Sequence, residues 1–227
     1  MLEWKRYSGM QDSRCHPMSE EKCNILYTIG HSNHKTDDFI RLLRTHGVTC
    51  VADVRSTPYS RYCPQFNQKS LTLALENANI KYIYLGDQLG ARPIKAHCHN
   101  GDYVNLEYVA RTEEFKLGLN RLIEAASKYR VALMCAEKEP LECHRCILVC
   151  RHLNEHNLRI KHILEDGSIE DHEESERRLI RMLKIEATLF EPTKTEADFI
   201  QQAYDQQAQK ISHDSEASRT THETTKY

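Results

Sequence analysis

VALMCAEKEPLECHRCILVC, residues 131–150, decides how the rest of the chain is read. Val131-Ala132-Leu133-Met134 is a short apolar run. Cys135-Ala136-Glu137-Lys138-Glu139-Pro140 breaks it, and a helical pattern resumes near Cys143-His144-Arg145. An apolar run, a polar loop with Pro and then a helix describe a strand feeding a helix at the edge of a parallel sheet. Ligands of such sheets bind beyond the carboxyl ends of the strands. Between Cys135 and Arg145 that edge carries two thiols, carboxylates, an imidazole and a guanidinium, a density of reactive groups that marks a candidate site.

Working outward, the same alternation recurs. Ile25–Ile29, Val48–Arg55, Ile80–Leu85 and Arg159–Leu164 read as further strands. Helical patterns start near Thr36 and Ser70, span Leu106–Tyr129, follow Cys143 to Asn157, and cover Glu170–Glu186. Thr36 suits an N-cap, with Asp37 and Asp38 in the first turn, and Gly47 supplies a stop. Val48–Val54 is apolar almost throughout, as in a central strand covered on both faces. The expected fold is a three-layer α/β domain, with a mostly parallel sheet of about five strands and helices on both faces.

With 227 residues, 40% of them hydrophobic, the chain can bury one core. Residues 25–190 form the expected single α/β domain, and residues 1–24 a flexible N-terminal extension. From 191 the composition shifts to Thr, Glu, Gln, Ser and Lys, a polar and largely disordered tail in which Phe199–Lys210 has helical character. A net charge of −2 offers no global basic field for nucleic acid. There is no apolar run long enough for a membrane span, and residues 1–22 lack the apolar core of a secretory signal. Nine cysteines, an odd number with several in apolar contexts (Cys50, Cys146, Cys150), fit free thiols in a reducing cytosol. Cys15, His16 and Cys23 are spaced too loosely for a metal motif. His97-Cys98-His99 are adjacent, and adjacent residues seldom all reach one ion, so that stretch reads as a mobile insertion.

Four phrases carry a resemblance: YTIGHSN at 27–33, VADVRSTPYSR with QFN at 51–67, YLGDQLGARP at 84–93, and CAEKEPLECHR at 135–145. In this order and spacing they resemble the domain-of-unknown-function family 488, over roughly residues 25–185. The resemblance implies a three-layer α/β fold and no established reaction. The family usually has Gly where Ala91 stands, a departure confined to that backbone position.

All four phrases fall at strand ends and are expected to converge on one crevice. The candidates are His31, Ser32, Asp53, Arg55, Tyr59, Arg61, Arg92, Cys135, Glu137, Cys143, His144 and Arg145. A first reading is an enzyme, a hydrolase or transferase. Cys143 would be a thiolate, its pKa lowered by a helix start and cationic neighbours. Asp53, Glu137 or His31 would handle protons, while the arginines with Ser32, Tyr59 and His144 would hold a small anionic, nucleotide-like ligand. Neither thiol is followed by an Arg after five intervening residues, which excludes a Cys-x5-Arg phosphate loop. In a second reading Cys135 and Cys143, with His144 or His31, hold zinc, iron or an iron–sulfur cluster. In a third, Arg55, Arg61, Arg92 and Arg145 bind nucleic-acid phosphates and Tyr59 and Tyr62 stack bases. The structural alternative buries the two cysteines as small hydrophobes and pairs Arg145 with Glu137.

Overall fold

The computed structural model describes residues 25–91, 99–100, 103–156, 158–186 and 195–223. In chain order it contains β1 (Ile25–Gly30), α1 (Thr36–Thr45), β2 (Cys50–Asp53), α2 (Gln68–Asn77), β3 (Lys81–Tyr84) and the short α3 (Gly86–Leu89). Then come α4 (Leu106–Arg111), α5 (Glu113–Lys128) and β4 (Val131–Cys135). A helix termed α6 follows, π-helical over Arg145–Cys150 and α-helical over Arg151–Leu153. The chain continues through β5 (Arg159–Ile163), β6 (Ile169–Asp171), α7 (His172–Met182) and α8 (Glu196–Glu223). His99–Asn100 pairs with Tyr103–Val104 outside the main sheet.

The sheet runs β3-β2-β4-β1-β5-β6. Its first five strands are parallel, as the apolar runs indicated, and β6 adds an antiparallel edge. The connections β1→β2 and β2→β3 step toward one edge, while β3→β4 and β4→β5 step toward the other. Right-handed crossovers then put α1 and α2 on one face and α4, α5 and α6 on the opposite face. The side chains obey this. Phe39, Leu43, Leu71 and Leu75 pack with Ile29, Val51, Ala132 and Met134. Phe115, Leu122, Leu148 and Val149 pack with Leu26, Ala52, Val54 and Leu133. Alternate residues of each strand thus serve opposite cores, the period-two rule of a doubly covered sheet. The direction of winding reverses at β4, so a crevice opens at its carboxyl end, between the ends of β1 and β2.

Three local readings change. The pattern at 106–129 is two helices, because the Thr112 hydroxyl accepts from Phe115 N–H at 3.2 Å and caps a new start. Thr36 lies inside α1, whose cap is Lys35 with no side-chain bond. From 196 the chain is helical, and Ala203, Tyr204 and Gln207 are buried against the domain. Over residues 196–212 the chain is a docked helix, more ordered than the helical character expected of Phe199–Lys210, and residues 191–194 and 224–227 lie outside the described residues. The reason is a narrow stripe, Ile200, Ala203, Tyr204, Ala208 and Ile211, at three- and four-residue spacing within a polar segment. The N-terminal extension with Cys15, His16 and Cys23, together with Arg92, His97 and Cys98, lies outside the described residues. Among the described residues no helix is long and apolar enough to cross a membrane.

Tyr204 is the main anchor of α8. Tyr204→Ala is expected to cost about 3 kcal/mol, the low end for emptying a buried aromatic site. It should free the α8 amides first in hydrogen exchange. Unchanged protection of α8 would contradict this docking.

Candidate metal centre and its cleft

Two shells of polar residues meet at the β4 end. The outer one begins with β1. His31 N–H donates to Cys135 O (2.9 Å) and Ser32 N–H to Ala136 O (2.8 Å), so the end of β1 is zipped to the loop after β4. The close approach requires Gly30, whose added Cβ would lie 1.9 Å from Glu137 O. Ser32 turns the chain away with a left-handed φ of 45°.

From β2, Asp53 accepts a forked pair from Arg55, Nε at 2.9 Å and Nη2 at 2.6 Å, and a further bond from the Tyr82 hydroxyl at 2.9 Å. Arg55 also donates from Nη2 to Phe66 O (2.9 Å) and from Nη1 to His31 Nε2 (3.1 Å). That fixes the imidazole tautomer: Nδ1–H donates to Ser32 O at 2.8 Å and Nε2 accepts. The ring stacks on Phe66 with centroids 4.3 Å apart.

Burial lowers the His31 pKa to about 4, and the Arg55 charge adds to it. The Ser32 carbonyl, Asp53 and Glu137 pull the other way. His31 is therefore neutral at pH 7. Its folded pKa lies below the unfolded value near 6.5, so its contribution is complete above pH 6.5 and is lost as pH falls toward 4. Wild type should lose on the order of 3 kcal/mol more than His31→Gln across that window. Parallel urea-stability profiles for the two proteins would contradict the assignment.

The inner shell comes from the 135–145 loop and the start of α6. Cys143 is extended, and its carbonyl takes the N–H of Cys146 (3.0 Å) and Ile147 (3.1 Å), so it opens the helix. Its Sγ accepts the Arg145 N–H at 3.4 Å and donates to Glu137 Oε2 at 3.0 Å. His144 Nε2–H donates to Val54 O (3.0 Å), which leaves Nδ1 bare and aimed at Cys135 Sγ (3.6 Å) and Cys143 Sγ (4.0 Å). Donor atoms of Cys135, Glu137, Cys143 and His144 all lie within 4.8 Å of one another.

Arg145 is fully buried beneath them and grips the loop, Nη1 donating to Glu137 O and Nη2 to Lys138 O (3.0 Å), while Nε has no protein partner. Burial opposes ionisation of Cys143. A hydrogen bond from Cys135, the Arg145 charge and His144 nevertheless bring its thiol down to about 6. Burial and the Cys143 charge push Cys135 well up. Glu137 is exposed at the cleft; desolvation of its carboxylate opposes ionisation, yet His144 and hydrogen bonds from both thiols hold it down to about 2.

Above this cluster lies a cleft of about 350 Å³, walled by His31, Arg55, Tyr59, Cys135, Glu137 and His144. Ile211 and Ser212 of α8 close one side, which the sequence reading did not foresee. Cys143 is 1% exposed and stands behind Cys135 and His144. The structure thus brings together His31, Asp53, Arg55, Cys135, Glu137, Cys143, His144 and Arg145. Ser32 faces outward, with Oγ on Asn33, and Arg61 is exposed in the 56–67 loop. Tyr59 is 65% exposed on the rim. Tyr82, which fixes Asp53, was missed; it stands two residues from Tyr84 in an alternating strand, the only signal available.

Comparison with curated proteins and with solved structures gives no match. The four motifs that build the crevice sit in a chain whose residues 35–151, just over half its length, match a family model, and the chain belongs to that family, described as domain of unknown function DUF488.

Proposed function

We propose that the protein is a metal-dependent enzyme, a hydrolase or transferase, whose ion is held by Cys135, Cys143 and His144, with Glu137 beside it. One observation carries the reading: four donors of zinc- or iron-binding type converge within 4.8 Å, and three of them, Cys135, Glu137 and His144, line a cleft. A tetrahedral ion with bonds of about 2.3 Å to sulfur and 2.0 Å to nitrogen has S···N edges of about 3.5 Å. The His144 separations of 3.6 and 4.0 Å lie close to that edge. The Nε2–H bond to Val54 O is the outer contact that orients a ligating histidine. The ion would supply Lewis acidity to a substrate oxygen or to water. Glu137 would orient a water entering the cleft as a hydrogen-bond acceptor, since its low pKa makes it a weak base. Two thiolates and one carboxylate around a divalent ion leave one negative charge, which Arg145 balances.

An anionic, nucleotide-like substrate is supported by Arg55 on the cleft wall. Asp53, Phe66 and His31 engage four of its N–H bonds, leaving one on Nη1. Tyr59 offers an exposed ring for stacking. Arg145 takes no part in that role, since its hydrogen bonds go to loop carbonyls. With Arg145 and most of Arg55 engaged internally, the nucleic-acid alternative has less support.

A second reading, Cys143 as a thiolate nucleophile, is favoured by the Arg145 N–H on its sulfur at a helix start. It stands second because the sulfur is shielded from the cleft. The test is metal content after anaerobic purification. Cys135→Ser, Cys143→Ser and His144→Ala should each lose the ion, with circular dichroism unchanged. Metal-free wild type whose Cys143 alkylates rapidly at pH 7 would replace this reading with the second.

A further inference from the structure

A second cluster lies outside the cleft lining, where α6 packs against α7 and α8. Cys146 of α6, His162 of β5 and His172 at the start of α7 are all buried, and one donor atom from each lies within 4.8 Å of the others. His162 Nε2 and His172 Nδ1 face each other at 2.9 Å. The outer nitrogens are anchored: His162 Nδ1 to the Thr28 hydroxyl at 2.7 Å, and His172 Nε2 to the Tyr204 hydroxyl at 3.1 Å. Tyr204 in turn donates to Glu176 Oε1 at 2.9 Å. Nothing in the proposed reaction uses these groups.

We propose that Cys146, His162 and His172 form a second, closed metal site for one thiophilic cation, Zn2+ or Cu+. Three features support it. A thiolate with two imidazoles is a donor set that suits Zn2+ and copper, while hard, oxygen-seeking ions such as Mg2+ and Ca2+ are disfavoured. Both imidazoles have the far nitrogen tied to a hydroxyl, the arrangement that fixes tautomer and ring orientation in ligating histidines. For Zn2+ the carboxylate of Glu176, reached through Tyr204, completes the charge, since a divalent ion, one thiolate and one carboxylate sum to zero; Cu+ is balanced by the thiolate alone. Around an ion about 2.0–2.1 Å from each nitrogen the two imidazoles would stand about 3.4 Å apart. They therefore open by about half an ångström, pivoting on Thr28 and Tyr204, and exchange their mutual hydrogen bond for the ion. The site would tie β5, α6 and α7 together beneath α8, a structural role. Its existence does not depend on the first centre.

The experiment is an anaerobic titration of metal-free full-length protein with Zn2+, and separately with Cu+, each against a competing chromophoric chelator. Wild type, Cys143→Ser, Cys146→Ser and His172→Gln are compared, with circular dichroism confirming the fold. Cys143→Ser should keep one equivalent of Zn2+ or Cu+. Cys146→Ser and His172→Gln should bind one equivalent fewer than wild type, whichever ion is used. If Cys143→Ser does not fold, the drop from wild type to Cys146→Ser decides the question alone. Wild-type stoichiometry in Cys146→Ser and His172→Gln would overturn the proposal, leaving the His162–His172 hydrogen bond as the whole role of the pair. Loss of the first centre appears instead as a wild type whose single equivalent disappears in Cys146→Ser.

Discussion

Asp53→Asn is expected to destabilise the protein by about 3–5 kcal/mol, the cost of leaving a buried charge without its partner. Asp53 is fully buried and the Arg55 side chain is 6% exposed. Besides the Arg55 fork, Asp53 Oδ1 takes the Arg55 backbone N–H at 3.0 Å and Oδ2 the Tyr82 hydroxyl. An amide can replace one oxygen but presents an N–H to a guanidinium that has only donors. Arg55 also orients His31 and ties down Phe66, so its displacement would reach the cleft wall. Replacing both partners, as Asp53→Leu with Arg55→Met, should cost clearly less than the sum of the single changes, because no unpaired charge remains. Urea denaturation of the four proteins measures this cycle. Additive losses would mean that the two residues do not act as a pair.

Gly30→Ala is expected to be comparably damaging, at about 3 kcal/mol, the upper range for forcing extra volume into a packed site. The new methyl would lie 1.9 Å from Glu137 O and 2.8 Å from Lys138 Cα, both backbone atoms. No side chain can step aside. The two strand-end hydrogen bonds to Cys135 and Ala136 hold the strand against the loop, so the loop has to move. Glu137 then leaves Cys143, and Arg145 loses the carbonyls it grips. The variant should therefore lose the metal as well as stability. Gly118→Ala is the comparison: its methyl meets α3 at Leu89 Cδ2 (2.7 Å), Leu89 Cγ (2.8 Å) and Gln88 Cβ (2.8 Å), so the short α3 has to move while the loop after β4 is untouched, and this variant should lose stability but keep the metal. Equal loss of metal in the two variants would contradict this account of Gly30.

The fold was legible because the central strands are apolar on both faces. Val131–Cys135 and Cys50–Asp53 could only be covered strands, and their alternation with helical stripes fixed the three layers. The site's membership was legible for a related reason. A parallel sheet delivers every strand end to one edge, so His31, Asp53, Cys135 and Cys143 had to be neighbours.

Which of them faces a ligand was not legible. Arg145 reads as an anion contact in sequence, yet burial turns it toward two loop carbonyls. Cys143 reads as a nucleophile at a helix start, yet it is buried and does not line the cleft that Cys135 and His144 do. In sequence, His172 and Glu176 lie one turn apart and are as readily a surface pair as part of a site, because what buries them is α8, a helix whose polar composition concealed its apolar stripe. His162 is one of several polar residues in an edge-side strand, and nothing local shows that His172 will meet it.

The central claim is that Cys135, Cys143 and His144 hold an ion. The most direct measurement is the absorption spectrum of the Co2+-substituted protein, with Cys135→Ser and Cys143→Ser beside it. The account predicts thiolate-to-cobalt charge-transfer bands that weaken in each variant, along with visible bands of tetrahedral intensity. A wild-type spectrum unchanged by both substitutions would contradict it, and would return Cys143 to consideration as a nucleophile.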